Sequence, residues 1–349
     1  MDINQETNQS FPIKFNLKSL IILVLFAVGI YLLLPKLIDA QQALKLLLHV
    51  NKFYILIAIF FEVISYIGAA WLLGIILSRL GYKIKFWDRF RIGSIAAFAI
   101  HFFPVGTLGE GAVDFYFLRK KKVEAGSILL MLVLRVLITY TAFLLVFLVG
   151  LSLVPTAPHL PFSPKIISFI LLTLIIFGSF YLYYLYKNKE KFRKTWNRFL
   201  RFFDNIVSKI RGKEVSTAKE SELFEDIYHG IGLFGGKKRF ALLAILAGVV
   251  YWLGDITCFH FVFLSLGFDI HWGVLIFGYG VAFLAGMISF IPGGLGVVEG
   301  SLVLIYTGLA VPSALAVAAI LVFRLFSFWV WIPFGLYSYI SLSKETKKK

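Results

Sequence analysis

Charge is scarce in this chain: Asp, Glu, Lys and Arg make up 15% of its 349 residues, where soluble domains carry about a quarter. Together with 59% hydrophobic residues and a mean hydropathy of +0.85, that deficit excludes a soluble globular protein and leaves a polytopic membrane protein. Cysteine is nearly missing. Cys258 stands alone inside an apolar run, which excludes an intramolecular disulfide and a thiolate metal cluster. The six histidines are scattered, so no metal-ligand spacing exists, and neither metal nor cofactor is expected. No GxxxxGK[ST] phosphate loop appears; GTLGEG at 106–111 has the glycines but lies in an apolar segment with no strand before it, which disfavours an ATP-driven pump. The N-terminus, MDINQETNQS, lacks a basic region before an apolar core, so the first apolar run reads as a retained span rather than a cleaved signal.

The charge that is present is mostly positive, +16 overall. It falls in short loops and at the C-terminus, which is the pattern that orients membrane proteins and argues against nucleic acid as a partner. Spans are expected at 20–34, 54–77, 127–154, 166–186, 240–266 and 314–340. Residues 187–239 hold 14 Lys and Arg against 7 Asp and Glu, so this loop is expected on the cytoplasmic side, as are both termini, in the cell inner (plasma) membrane. Within it Trp196, Phe199, Leu200, Phe203, Val207 and Ile210 recur at helical spacing among basic residues. Two readings stay open there: an interfacial amphipathic helix on an anionic leaflet, or a solvated topogenic loop.

Two further apolar segments are broken. The first contains PVGTLGEG from Pro104 and reaches Arg135; the second contains PGGLGVVEG from Pro292 and reaches Arg324. Each carries proline, glycines and a glutamate ahead of a long apolar helix with one arginine. Proline and paired glycines interrupt a helix, and broken backbone at membrane depth is tolerated only where it is buried in protein or lines a cavity. Basic clusters flank the first segment at both ends and neither end of the second, so the two are expected to enter from opposite faces. The fold expected is all-α: about six transmembrane helices plus two re-entrant helical hairpins forming an inverted repeat, with units near 54–154 and 240–340 in one domain spanning 1–349.

Half-helix N-termini and arginines suit an anionic head group. The expected substrate site therefore comprises Pro104, Gly106, Gly109, Glu110, Arg135, Pro292, Gly293, Gly294, Gly296, Glu299 and Arg324, with Glu62, Asp114 and Asp255 as possible coupling groups. The bland alternative is that these acids and arginines pair to lock helices together. It is strongest for Asp114, His101 and His260, which have no clear counterpart in the other repeat.

The motifs FFPVGTLGEG with its following Arg119, and FIPGGLGVVEG, resemble the paired signatures of the lysylphosphatidylglycerol synthase transmembrane-region family, flippase-like proteins of UPF0104 type related to the membrane half of the multiple peptide resistance factor. The resemblance covers roughly 20–340. It implies translocation of a phospholipid with a charged head group, such as aminoacyl-phosphatidylglycerol, with membrane lipids as partners. The chain ends at Lys349 directly after the last span, so no aminoacyl-transferase domain and no enzyme activity are expected, and a separate lipid synthase is a possible partner. The alternatives are a proton-coupled secondary transporter of a small polar solute and an intramembrane lipid-modifying transferase.

Overall fold

A computed structural model describes residues 40–102, 106–155, 187–198, 238–289 and 291–347, with isolated positions between 173 and 228. The expected spans at 20–34 and 166–186, most of the basic loop, and Pro104 lie outside the described residues. Those described form helices without strands: α1 (Ala40–Leu48), α2 (Lys52–Arg79), α3 (Phe86–Phe102), α4 (Gly106–Lys120), α5 (Ala125–Leu153), α6 (Lys238–Ser265), α7 (Trp272–Ser289), a short turn Pro292–Gly294, α8 (Val297–Gly308), α9 (Ser313–Arg324), a wide π turn Leu325–Trp329, and α10 (Trp331–Lys347). Five stretches are long and apolar enough to cross a membrane: α2, α5, α6, α7, and α9 through α10 to Glu345.

Along α2 the large apolar residues point away from the protein. Phe53, Leu56, Phe60, Val63 and Ile67 form an exposed stripe, while Ala58, Glu62, Ser65, Gly68 and Leu72 are buried. This inversion of a soluble helix is what lipid selects, because bulky apolar groups gain nothing by leaving hydrocarbon and small residues let backbones approach. The buried face of α2 packs along α6. A Cβ on Gly68 would stand 2.7 Å from the backbone nitrogen of Tyr251, and one on Gly254 would stand 2.7 Å from that of Ser65. Two backbones therefore touch, and only glycine fits at either crossing.

α2 and α6 run antiparallel. At one end the Asn51 N–H donates to the Ser265 carbonyl at 2.8 Å, and at the other the Arg79 guanidinium lies 5.4 Å from the centre of the Phe240 ring. The second end is the basic one. There Lys121, just past α4, meets Asp88 in the first turn of α3 at 2.6 Å, so the two arms of α3–α4 begin and finish together. Arg91 holds Asp88 at 2.7 Å and Glu345 of α10 at 2.7 Å. Burial alone would raise the Asp88 carboxyl, but Lys121 and Arg91 more than offset it and hold the group below its usual value. Whatever stability this cluster adds is therefore present at neutral pH and is lost only as the pH falls through that lowered value.

The arms of α7–α8 also begin and finish together, with the Tyr306 hydroxyl donating to the Leu275 carbonyl at 3.0 Å. Their shared end sits elsewhere. A Cβ on Gly273 would fall 2.4 Å from the backbone of Leu153, at the finish of α5, whereas the start of α5 touches the basic end through Glu124 N–H to Tyr82 at 3.3 Å. A 29-residue helix spans roughly 43 Å, so the two hairpins open toward opposite ends of α5. They also pack crosswise: α3 lies against α10, and α7 lies against α5.

Candidate functional site

The second helix break is built by three left-handed glycines. Gly293, Gly294 and Gly296 have φ of 60°, 64° and 82°, a region closed to most side chains, so PGGLG turns the chain between α7 and α8 without a long loop. Glu299, in the first turn of α8, bends back to accept the Gly296 N–H at 2.7 Å. Its other oxygen accepts from Arg324 Nε at 2.6 Å. Arg324 then closes the loop by donating Nη2 to the Gly293 carbonyl at 3.1 Å. At this break the carboxylate in the first turn of α8 thus takes one N-terminal N–H group, that of Gly296. Pro292 opens the short turn, and Arg324 lies 5.4 Å from the centre of Phe328 in the π turn.

At the first break, Gly106 begins α4 and Gly109 is buried within it. Arg135 of α5 reaches both Glu110 and Asp114, two acids one helical turn apart on α4, with the Asp114 contact at 2.5 Å. No acid stands four residues after Glu299 to match Asp114, and Asp114 pairs with the same arginine as Glu110. In both pairs the arginine follows its glutamate by 25 residues. The two pairs differ in access. The Arg135 and Glu110 side chains are 16% and 22% exposed, whereas those of Arg324 and Glu299 are 9% and 0%, so one pair is partly exposed and the other is buried.

Between them lies a third polar group. Glu62 on α2 and Asp255 on α6 stand within hydrogen-bonding reach of each other. Glu62 accepts from Trp331 Nε1 at 3.2 Å, Asp255 accepts from the Tyr279 hydroxyl, and Tyr66 stacks on Trp331 with ring centres 3.3 Å apart. Tyr251, one turn before Asp255, is within electrostatic reach of Arg135 and of both carboxyls, and Arg324 acts on Asp255 from the other side. Trp331, Tyr279, Tyr251 and Tyr66 carry no motif and sit in apolar helices rich in aromatics; only the partner acids identify them.

His260 is not part of this group. It stacks on Trp272 with ring centres 4.1 Å apart and lies 3.8 Å from Asp269, at the end opposite the basic cluster. Among the described residues no set of three His, Cys, Asp or Glu side chains is placed to hold a metal ion. What the arrangement offers chemically is two guanidinium groups, each paired with a carboxylate, and a buried carboxyl pair.

A family model described as the lysylphosphatidylglycerol synthase TM region matches residues 19–335. Relatives include a UPF0104 membrane protein of Methanocaldococcus jannaschii, 24% identical over 321 residues that cover 89% of this chain and 91% of the relative. Another, from Pyrococcus horikoshii, is 26% identical over 322 residues, 88% of this chain and 93% of its own. A third, from Methanothermobacter thermautotrophicus, is 30% identical over 143 residues, covering 39% of this chain and 42% of the relative.

Proposed function

Because the chain belongs to the lysylphosphatidylglycerol synthase TM region family, we propose that this multi-pass membrane protein translocates a phospholipid with a charged head group, aminoacyl-phosphatidylglycerol or similar, between leaflets. In this reading it performs no chemistry on the lipid, which a separate synthase supplies. The scaffold is six spans with two re-entrant hairpins related as an inverted repeat, in the cell inner membrane with both termini cytoplasmic. Support for the inversion comes from the hairpin ends, since Lys121–Asp88 and Tyr306–Leu275 lie toward opposite ends of α5. The basic residues gathered at the first of these ends mark it as the inside.

The observation that carries the reading is the matched pair of arginine–glutamate sites, one partly exposed and one buried, beside the two helix breaks. A lipid phosphate entering the partly exposed site displaces Glu110 from Arg135 while Asp114 keeps the guanidinium oriented. Opening of the buried site would repeat that exchange at Arg324. The acyl chains stay in the bilayer, along the apolar outer faces of the helices.

The test is reconstitution of the full chain in liposomes with a head-group-labelled lipid. Label in the inner leaflet should become accessible to external dithionite only when protein is present, and Arg135→Ala should slow this by about tenfold or more, as expected for the loss of one charge-assisted contact worth about 1.5–3 kcal/mol. An unchanged rate in the variant would remove Arg135 from the site, and chemical conversion of the lipid would make the protein a transferase. Topology has a separate check. A cysteine at Lys120 should label from inside and one at Asp269 from outside, the native Cys258 being buried; labelling from one side only would rule out the inverted arrangement.

A further inference from the structure

The carboxyl pair between the two arginine sites has an electrostatic problem that its neighbours do not solve. Glu62 is 4% exposed. Its Oε1 has the Trp331 donor, but its Oε2 has no hydrogen-bond partner. Asp255 is arranged in the same way: Oδ2 takes the Tyr279 hydroxyl, and buried Oδ1 has none. Among the described residues neither carboxyl joins a salt bridge, because the nearby arginines hold other acids, Arg135 with Glu110 and Asp114 and Arg324 with Glu299. The remaining groups facing the pair are neutral: Tyr66, Tyr251 and the Cys258 thiol, a weak donor within hydrogen-bonding reach of Glu62; Arg324 acts on Asp255 from beyond. Two ionised carboxylates in contact inside hydrocarbon would repel each other and leave two acceptors unmet. One proton between them removes both faults, supplying the missing donor and halving the charge.

We propose that Glu62 and Asp255 form a proton-binding carboxyl pair, holding one shared proton across the contact between α2 and α6, and that its exchange is the coupling step of the two-repeat scaffold. The proposal deepens the translocase reading and rests on it for the word coupling alone. The pair carries one negative charge with the proton bound; release delivers one H⁺ to water and leaves two carboxylates with two negative charges. Gly68 and Gly254 place the backbones in direct contact beside the pair, so the added repulsion has no soft side chains to absorb it and acts on the two helices themselves. Each acid belongs to a different repeat, and Trp331 and Tyr279, which donate to them, lie on α10 and α7. Proton occupancy is thereby linked to the elements that carry or flank the buried site.

Infrared spectroscopy of the purified full chain at neutral pH tests this. The wild type should show a protonated-carboxyl C=O band that shifts in D₂O. Glu62→Gln, isosteric with the protonated acid, should lose one carboxyl's worth of that band, and Asp255→Asn should shift it in frequency because the partner has become neutral. Asp269→Asn, which removes a carboxylate 83% exposed, should leave it alone. A band indifferent to Glu62→Gln, to Asp255→Asn and to the two combined would overturn the pair. The band requires no lipid to move: its absence counts against the pair alone, whereas a wild-type chain that moves no lipid counts against the translocase alone. If coupling holds, Glu62→Gln also flattens the pH dependence of dithionite access; a dependence equal to that of the wild type would overturn that step.

Discussion

Glu299→Ala should destabilise the folded protein by about 3–5 kcal/mol, the range for breaking a buried ion pair from one side. The carboxylate is fully buried and serves two masters, the Arg324 guanidinium at 2.6 Å and the Gly296 N–H at 2.7 Å. Its loss strands a charge in a site 9% exposed and uncaps the first turn of α8 next to a break already made of left-handed glycines. Thermal or denaturant unfolding of the solubilised full chain measures it. The informative comparison is the double replacement Glu299→Leu with Arg324→Met, which removes both charges at similar volume. Such swaps are often neutral in stability or better, so the double variant should recover most of the loss while failing to move lipid. If it recovers transport as well, the pair is only a lock between helices. Glu110→Ala should be far milder, about 1 kcal/mol, because that site is partly open and Asp114 still holds Arg135.

Gly254→Val should destabilise the protein by about 3 kcal/mol, the upper end of the range for overfilling a packed interior. The added carbon would meet Ser65 N at 2.7 Å, Ser65 Cα at 2.8 Å and Phe61 O at 2.9 Å, all backbone of a long helix that cannot rotate aside. Gly68→Val meets the mirrored obstacle on Tyr251. Gly300→Ala is the control, since nothing lies within 4 Å of its added carbon. Inside α8 it should leave stability equal or raise it by about 0.5–1 kcal/mol. Equal effects at 254 and 300 would mean that α2 and α6 are not in backbone contact.

The parts of this architecture that the amino acids announce are those carried by local chemistry. Hydropathy placed the spans now seen as α2, α5, α6 and the α9–α10 run, and the proline and glycines around 292–296 marked the break because few residues can adopt those backbone angles. Charge around Arg79, Arg91 and Lys121 marked one end of the bundle. What stayed hidden depends on neighbours remote in the chain. Asp114 looked solitary because its partner, Arg135, lies on the next helix and no acid stands four residues after Glu299 to match it. The capping of α8 by its own Glu299 follows from a turn geometry that spacing alone does not reveal. Trp331 resembles any other aromatic in a membrane helix until Glu62, 269 residues away, is brought to it.

The π turn at Leu325–Trp329 sets the rotational phase of everything after it. Seven residues separate Arg324 from Trp331, and in an unbroken α-helix two turns of about 3.6 residues would bring both back to the same face. The wide turn takes up one residue more than a regular turn, so the last helix acts as two gears on one shaft, offset by a tooth. The upper gear engages Glu299, and the lower one engages Glu62. Moving that surplus residue along the shaft would disengage one acid without unwinding the helix, which places the registers of the arginine site and the carboxyl pair under a single mechanical setting.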